Sequence, residues 1–444
     1  MNVTVIGTGY VGVTTAAILA NAGYKVYAVD VSEDRLQSLR EGRSFFYEEG
    51  LNPLIKKAVD DSNLIPTTSY EESIPESHFV FSCVGTPDNP DGSSNLTYIY
   101  ESAKKAASLI KPGSIYIQKS TVPVGTGRQV LKEFAGKNIA YVSNPEFLRE
   151  GTALLDTLFF DRIVVGGDNQ GALDKVINLY KDVEKRREAS SKIAGIKYKE
   201  LKGAYISTGL DSAELIKVTA NAFLALKISF ANSIAQLADQ TEADVVEVMN
   251  AVGADPRIGR AFLNAGRGYG GGCFPKDVAG LISSAGSYGV DLTIMKAASQ
   301  LNEQIPNYIV GKVEKLIGGY KGKKIAVLGL AFKSGTSDAR KSPGIKIANL
   351  LDAAGANVAT FDPQANGEAK HDLKSSVSTS YSLNEAVKGT DAVFVATDWP
   401  EFKEIDLANL AKTMNGKTII DCMNCLDPTK AKNSGLQYIG IGRS

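Results

Sequence analysis

The chain repeats one pattern near both ends, and that repeat constrains the fold more than any other feature. Residues 3–30 read as a β-branched strand, the turn Gly7-Thr8-Gly9-Tyr10-Val11-Gly12, a helix, Asn21-Ala22-Gly23, a second strand and Asp30. Residues 324–362 follow the same order, with Gly329 in the turn, Ala353-Ala354-Gly355 after the helix, and Asp362 at the end. The second copy has a longer loop, 332–342. Short apolar strands alternating with helices pack as a parallel sheet covered on both faces. In the first copy the series continues at 79–82, 114–118, 139–142 and 163–165.

Between the copies the rhythm changes. Residues 211–239 contain no Pro or Gly and place apolar residues at helical spacing, too long a run for a crossover helix. Further helical stretches follow at 244–252, 276–287 and 292–316, and a break at Gly318-Gly319 and Gly322 precedes the second copy. The expected fold is α/β, with two doubly wound Rossmann-like domains (1–206 and 319–444) joined by a central helical domain (207–318). The long helix would form either a subunit interface or a core element within its own chain.

Composition narrows the function. Lys plus Arg and Asp plus Glu both number 49, so no basic excess suggests nucleic acid or an anionic membrane as a partner. Two histidines and four cysteines give little material for a zinc site or a His-based hydride transfer, and no disulfide framework. The start of the chain does not read as a signal peptide, and no window approaches 18 uninterrupted apolar residues. A cytoplasmic protein without a bound metal is expected.

Gly7, Gly9 and Gly12 satisfy G-x-G-x-x-G between a strand and a helix, with Asp30 closing the next strand. In that context the turn and helix start suit a pyrophosphate, and a carboxylate at 30 suits a free ribose, which favours NAD over NADP. Arg35 either flanks the adenosine or is a solvated charge. The sharpest local signal is Gly270-Gly271-Gly272-Cys273-Phe274-Pro275-Lys276-Asp277. Three glycines clear side chains from around a thiol at a helix start, where Lys276 and the helix end favour thiolate. Asp277 falls one turn below the sulfur. Lys217 and Asn221 share one face of the long helix and suggest an oxyanion site. Glu146 and Glu150 follow a strand end, as do the hydroxyls of Ser120 and Thr121. Lys333, Arg340 and Lys341 form either a second phosphate cradle or a basic surface loop. Together these parts suit two oxidations in one site. An aldehyde carbon gives up hydride only after a nucleophile has made it tetrahedral, and a thiolate does this and leaves a thioester for water to cleave.

These motifs, with VGTP at 84–87, STVPVGT at 120–126, NPEFLREG at 144–151, AELIKVTANAFLALKISF at 213–230, DPRIG at 255–259 and GLAFKSGTSDARKSP at 329–343, resemble the UDP-glucose/GDP-mannose dehydrogenase family over nearly the whole chain. The resemblance implies oxidation of UDP-glucose to UDP-glucuronate with two NAD, or the same chemistry on UDP-N-acetylmannosamine or GDP-mannose. It implies Cys273 as nucleophile, and Lys217, Asn221 and Asp277 as the groups that position water and the oxyanion. Glu146 would be the base for hydrolysis, and Thr121 would organise the water. NAD would meet Gly7, Gly9, Tyr10, Val11, Gly12, Asp30, Arg35, Thr86, Thr121, Glu150, Lys276 and Arg340. The sugar nucleotide would meet Phe147, Leu148, Arg149, Glu150, Lys217, Asn221, Phe262, Leu263, Tyr269, Gly270 and Lys333. Arg257 would reach the partner's site in a homodimer built on the long helix. Three departures stand out: Met423 where the family pattern has arginine, Gly272 where it has serine, and a longer, more basic stretch at 184–207.

Overall fold

The computed structural model describes residues 1–443 and divides into two compact units, residues 1–220 and those from 221 onward. In the first unit the strands are β1 (Asn2–Ile6), β2 (Lys25–Val29), β3 (Leu64–Thr67), β4 (Phe79–Ser82), β5 (Ile115–Gln118), β6 (Ala140–Ser143), β7 (Arg162–Gly166) and β8 (Ala204–Thr208). They form one sheet in the order β3-β2-β1-β4-β5-β6-β7-β8. In the second unit β9 (Lys324–Leu328), β10 (Asn357–Phe361), β11 (Ser378–Thr379), β12 (Ala392–Val395), β13 (Thr418–Asp421) and β14 (Gln437–Gly440) form a sheet in the order β11-β10-β9-β12-β13-β14. The first six strands of each sheet therefore share one doubly wound order, and the repeat read at the chain ends extends through both sheets.

The repeat holds at the atomic level. A methyl built on Gly12 would lie 1.8 Å from the Gly7 carbonyl oxygen, and one on Gly344 would lie 2.3 Å from that of Gly329. In both copies only glycine lets the helix start close against the strand end. The two acids have diverged. Asp30 is bonded by the Thr8 backbone N–H at 2.7 Å, whereas Asp362 takes those of Leu330 and Ala331 at 2.8 and 2.9 Å and the Trp399 indole at 3.2 Å.

The first sheet departs from the expected all-parallel series at its far edge. β7 meets β6 antiparallel, through Ser143 and Gly166, and β8 runs parallel to β7. A parallel return needs a crossover of a dozen or more residues, usually a helix. Residues 144–161 are long enough for that and include the six-residue helix Ala153–Leu158, yet the chain returns antiparallel. The basic stretch continues the helix Gln170–Ala194 and ends in the edge strand β8. Its Arg187 is buried, donates to the carbonyls of Leu158 and Leu201, pairs with Glu184 at 2.9 Å and stacks on Phe160.

The long helix is Leu210–Ala238. By length and apolar composition alone it would pass for a membrane span. Its Glu214, Lys217, Asn221, Ser229 and Asn232 are nevertheless buried within the fold, and each is bonded there. Toward its end, Ala231, Ala235 and Ala238 pack in one core with the helix Thr293–Ile317 and with β9 and β12.

Candidate active site

In the first unit the predicted cofactor residues lie at the carboxyl ends of the parallel strands. Asp30 is buried, and its Oδ2 accepts both the backbone N–H and the hydroxyl of Thr8 at 2.7 Å. Its Oδ1 accepts Ser32 N–H at 2.9 Å. Burial pushes this carboxyl up, but the bonds from Thr8 and Ser32, with Arg35 close by, hold it below its ordinary value. Arg35 lies 3.8 Å from Asp30 and stacks on Phe45, which packs edge-on to Tyr10. A methyl built on Gly9 would meet nothing within 4 Å. The turn thus opens onto free space at the start of the helix Tyr10–Asn21, with half-buried Val11 beside it, which fits a dinucleotide phosphate. The loops after β4 and β5 are laced together: the Thr86 hydroxyl donates to Thr121 O at 3.1 Å, and that of Ser120 to Val84 O at 2.7 Å.

Past the end of β6, Glu146 Oε1 lies 3.1 Å from Lys217 Nζ, with side chains only 8% and 4% exposed. The other Glu146 oxygen accepts Leu148 N–H, and Lys217 stands over the Phe147 ring at 5.4 Å. A base and a cation in one dry pair can hold or release a proton beside a reacting carbonyl. Arg149 is engaged by Asp156 and exposed, and Glu150 follows in the same loop, partly buried.

Cys273 lies in the second unit. Half-buried, it precedes the helix Phe274–Ser287, with Pro275 in the first turn. One turn down, buried Asp277 accepts Asn221 Nδ2 at 2.6 Å and pairs with Lys276 at 2.9 Å. Asn221 follows Lys217 by one turn of the long helix. Nearby, Tyr269 and Phe262 pack against the Phe274 ring, Leu263 is buried, and Phe262 takes a left-handed backbone at φ +66°. Arg257 stands apart, 87% exposed and paired with Asp255 at 2.6 Å.

The three glycines before the thiol have a different reason from the one the sequence suggests. Methyls built on them would strike the Lys341 carbonyl oxygen at 2.3 Å from Gly270, the Phe332 ring at 2.7 Å from Gly271, and the Arg340 guanidinium at 2.6 Å from Gly272. They let the thiol segment press against the loop after β9, which carries Lys333 and Arg340. A serine at 272 would have to displace Arg340, which Asp338 holds at 2.6 Å.

Sequence reasoning missed two buried charges. Arg267, 1% exposed, donates to the carbonyls of Ala331 and Phe332 at 3.1 and 2.7 Å and fastens that loop from behind. Burial lowers its pKa to about 10. Its backbone N–H donates to Cys422 O at 2.8 Å, beside Met423. An arginine between two glycines carries no signal that separates it from a surface charge. Glu214, by contrast, could have been found as Lys217 was, as a polar residue on an apolar helix face.

Family models match three consecutive parts of the chain: the NAD binding domain over residues 1–184, the central domain over 211–304 and the UDP binding domain over 326–428, all of the UDP-glucose/GDP-mannose dehydrogenase family. The chain belongs to this family. UDP-glucose 6-dehydrogenase YwqF of Bacillus subtilis is 39% identical, over 100% of this chain and 98% of its own length. The UDP-glucose 6-dehydrogenase of Rhizobium meliloti is 35% identical over the full length of both. Among solved structures, a UDP-glucose dehydrogenase from Pyrobaculum islandicum has 35% identity and a TM-score of 0.88, covering 100% of this chain and 98% of its own. A UDP-D-ManNAc dehydrogenase from Pyrococcus horikoshii has 28% identity and a TM-score of 0.86, covering 100% and 99%.

In this dehydrogenase, Lys217→Met should destabilise the protein by about 3–5 kcal/mol, because it leaves Glu146 buried without its cation. The double variant with Glu146→Gln should recover most of that loss in urea unfolding. Burial raises Glu214 from its ordinary 4.5 to about 7, against two backbone N–H bonds that lower it. The stability its proton contributes is complete below pH 4.5 and is lost as pH rises through 7. Relative to Glu214→Gln, the wild type should therefore lose roughly 3 kcal/mol between pH 4.5 and pH 8, read from unfolding at each pH.

Proposed function

We propose that this chain oxidises UDP-glucose to UDP-glucuronate in two NAD-dependent steps on one cysteine. The observation that carries the reading is the long helix: within one turn it presents Lys217, paired with Glu146, and Asn221, bonded to the Asp277 that lies one turn below Cys273. Bound NAD supplies the hydride acceptor, held by the 7–12 turn, Asp30, Arg35, Thr86 and Thr121, with Glu150, Lys276 and Arg340 as further contacts. In the first step a base takes the sugar's 6-hydroxyl proton as hydride leaves the carbon, giving the aldehyde. The Cys273 thiolate then adds to that carbon, with Lys217 and Asn221 steadying the oxyanion. Loss of a second hydride from this thiohemiacetal leaves a thioester. Glu146 deprotonates the attacking water, organised by Thr121, and hydrolysis returns the thiol and the acid.

The roles divide along the chain as 1–206 for NAD, 207–318 for dimerisation and 319–444 for the UDP-sugar. Phe147, Leu148, Arg149, Phe262, Leu263, Tyr269, Gly270 and Lys333 contact the substrate on this reading. The dimer is supported by an apolar stripe on the long helix: Leu215, Phe223, Phe230 and Leu237 recur every seven or eight residues, 43% to 62% exposed. Exposed Arg257 would then reach across to the partner's substrate. A cytoplasmic location suits four cysteines among which no disulfide forms.

Counting NADH per sugar consumed across a panel of nucleotide sugars tests the reading. Two per UDP-glucose is expected. One per sugar would remove the thioester route, and turnover of only UDP-N-acetylmannosamine or GDP-mannose would reassign the substrate. Cys273→Ser should abolish acid formation. Phe230→Glu should convert the dimer to monomer by sedimentation.

A further inference from the structure

The long helix carries a buried carboxylate that neither the thiol chemistry nor cofactor binding uses. Glu214 lies one turn before Lys217 and is 2% exposed. Its Oε2 accepts Gly125 N–H and its Oε1 accepts Gly127 N–H, each at 2.7 Å. Such charge-assisted bonds from two amides to one carboxylate are short and directional. The approach depends on glycine: a methyl built on Gly127 would lie 2.9 Å from Glu214 Oε1 and 2.8 Å from the Tyr141 ring.

The charged and titratable groups around it do not compete for the carboxylate. Arg128, on the short helix Thr126–Val130, pairs with Asp211 at 2.9 Å instead. Tyr141 on β6 and Tyr100 on the helix Thr97–Leu109 are also near, and the Tyr141 hydroxyl is buried without a hydrogen-bond partner. Among the described residues, Glu214 has no cation within ion-pair distance. What it holds is backbone, and that backbone is the far end of the loop carrying Thr121. The near end is tied to the loop after β4 through Ser120 and Thr121.

We propose that Glu214 is a positioning residue for the oxidation: by clamping the amides of Gly125 and Gly127 to the long helix, it fixes the Thr121 loop relative to Lys217. The proposal rests on the reading above, in which Thr121 and Lys217 belong to the active centre.

The test is a double-mutant cycle on kcat for UDP-glucose oxidation, using the full chain with wild type, Glu214→Gln, Thr121→Ala and both together. Gln keeps the shape but turns an NH2 toward one of the two amides. Each single change should lower kcat about tenfold or more, with KM for UDP-glucose within about threefold of wild type. The double variant should be no more than about twofold below the weaker single variant. Multiplying losses would overturn the proposal, since two independent defects combine that way, and so would an unchanged kcat in folded Glu214→Gln. A silent Thr121→Ala would instead sink the placement of Thr121 on which the proposal stands. If Glu214→Gln does not fold, Gly127→Ala takes its place in the cycle, pressing on the carboxylate from the loop side. The same non-multiplying loss is expected, and multiplication or no loss counts against the proposal.

Discussion

An apolar helix that buries charged and polar side chains must satisfy each of them, because an unpaired buried charge costs several kcal/mol. Leu210–Ala238 carries Glu214, Lys217 and Asn221 in successive turns, and each recruits its partner from a different segment. Glu214 takes two amides at the start of Thr126–Val130, Lys217 takes the Glu146 carboxylate after β6, and Asn221 takes Asp277 below the thiol. Each partner segment is thereby tied to the helix turn that would otherwise bury an unsatisfied group.

The two sheets show how one pattern diverges in use. Both close a helix start against a strand end through a glycine pair, and both end the second strand in Asp. In the first, Asp30 is bonded mainly by Thr8 and Ser32, while Gly9 faces open space. In the second, Asp362 is consumed by Leu330, Ala331 and Trp399, and buried Arg267 holds the adjoining carbonyls. The second turn is thus filled by the protein itself, and its long loop is left to present Lys333 and Arg340.

Much of the candidate site was legible because its residues break a local expectation. A glycine-rich turn between strand and helix, a cysteine before Pro275, and a Lys and an Asn on an apolar helix each stand out against their surroundings. Glu214 broke the same expectation and was readable on the same ground. The antiparallel turn at β7 was not, since a three-residue apolar strand has no direction in sequence. Arg267 was not, since burial of an arginine depends on carbonyls 64 and 65 residues away in the chain.

The sequence alone determined the repeated α/β architecture, the helical insertion, the dinucleotide turn and the placement of Cys273 at a helix start, because periodicity, glycine spacing and helix-start chemistry act over a few residues. The tertiary structure alone decided that Lys217 pairs with Glu146, that Glu214 binds backbone, and that the glycines before Cys273 accommodate Lys341, Phe332 and Arg340. These are contacts between distant segments. Hydrogen-bond satisfaction and close packing in three dimensions select them, and no local pattern encodes either.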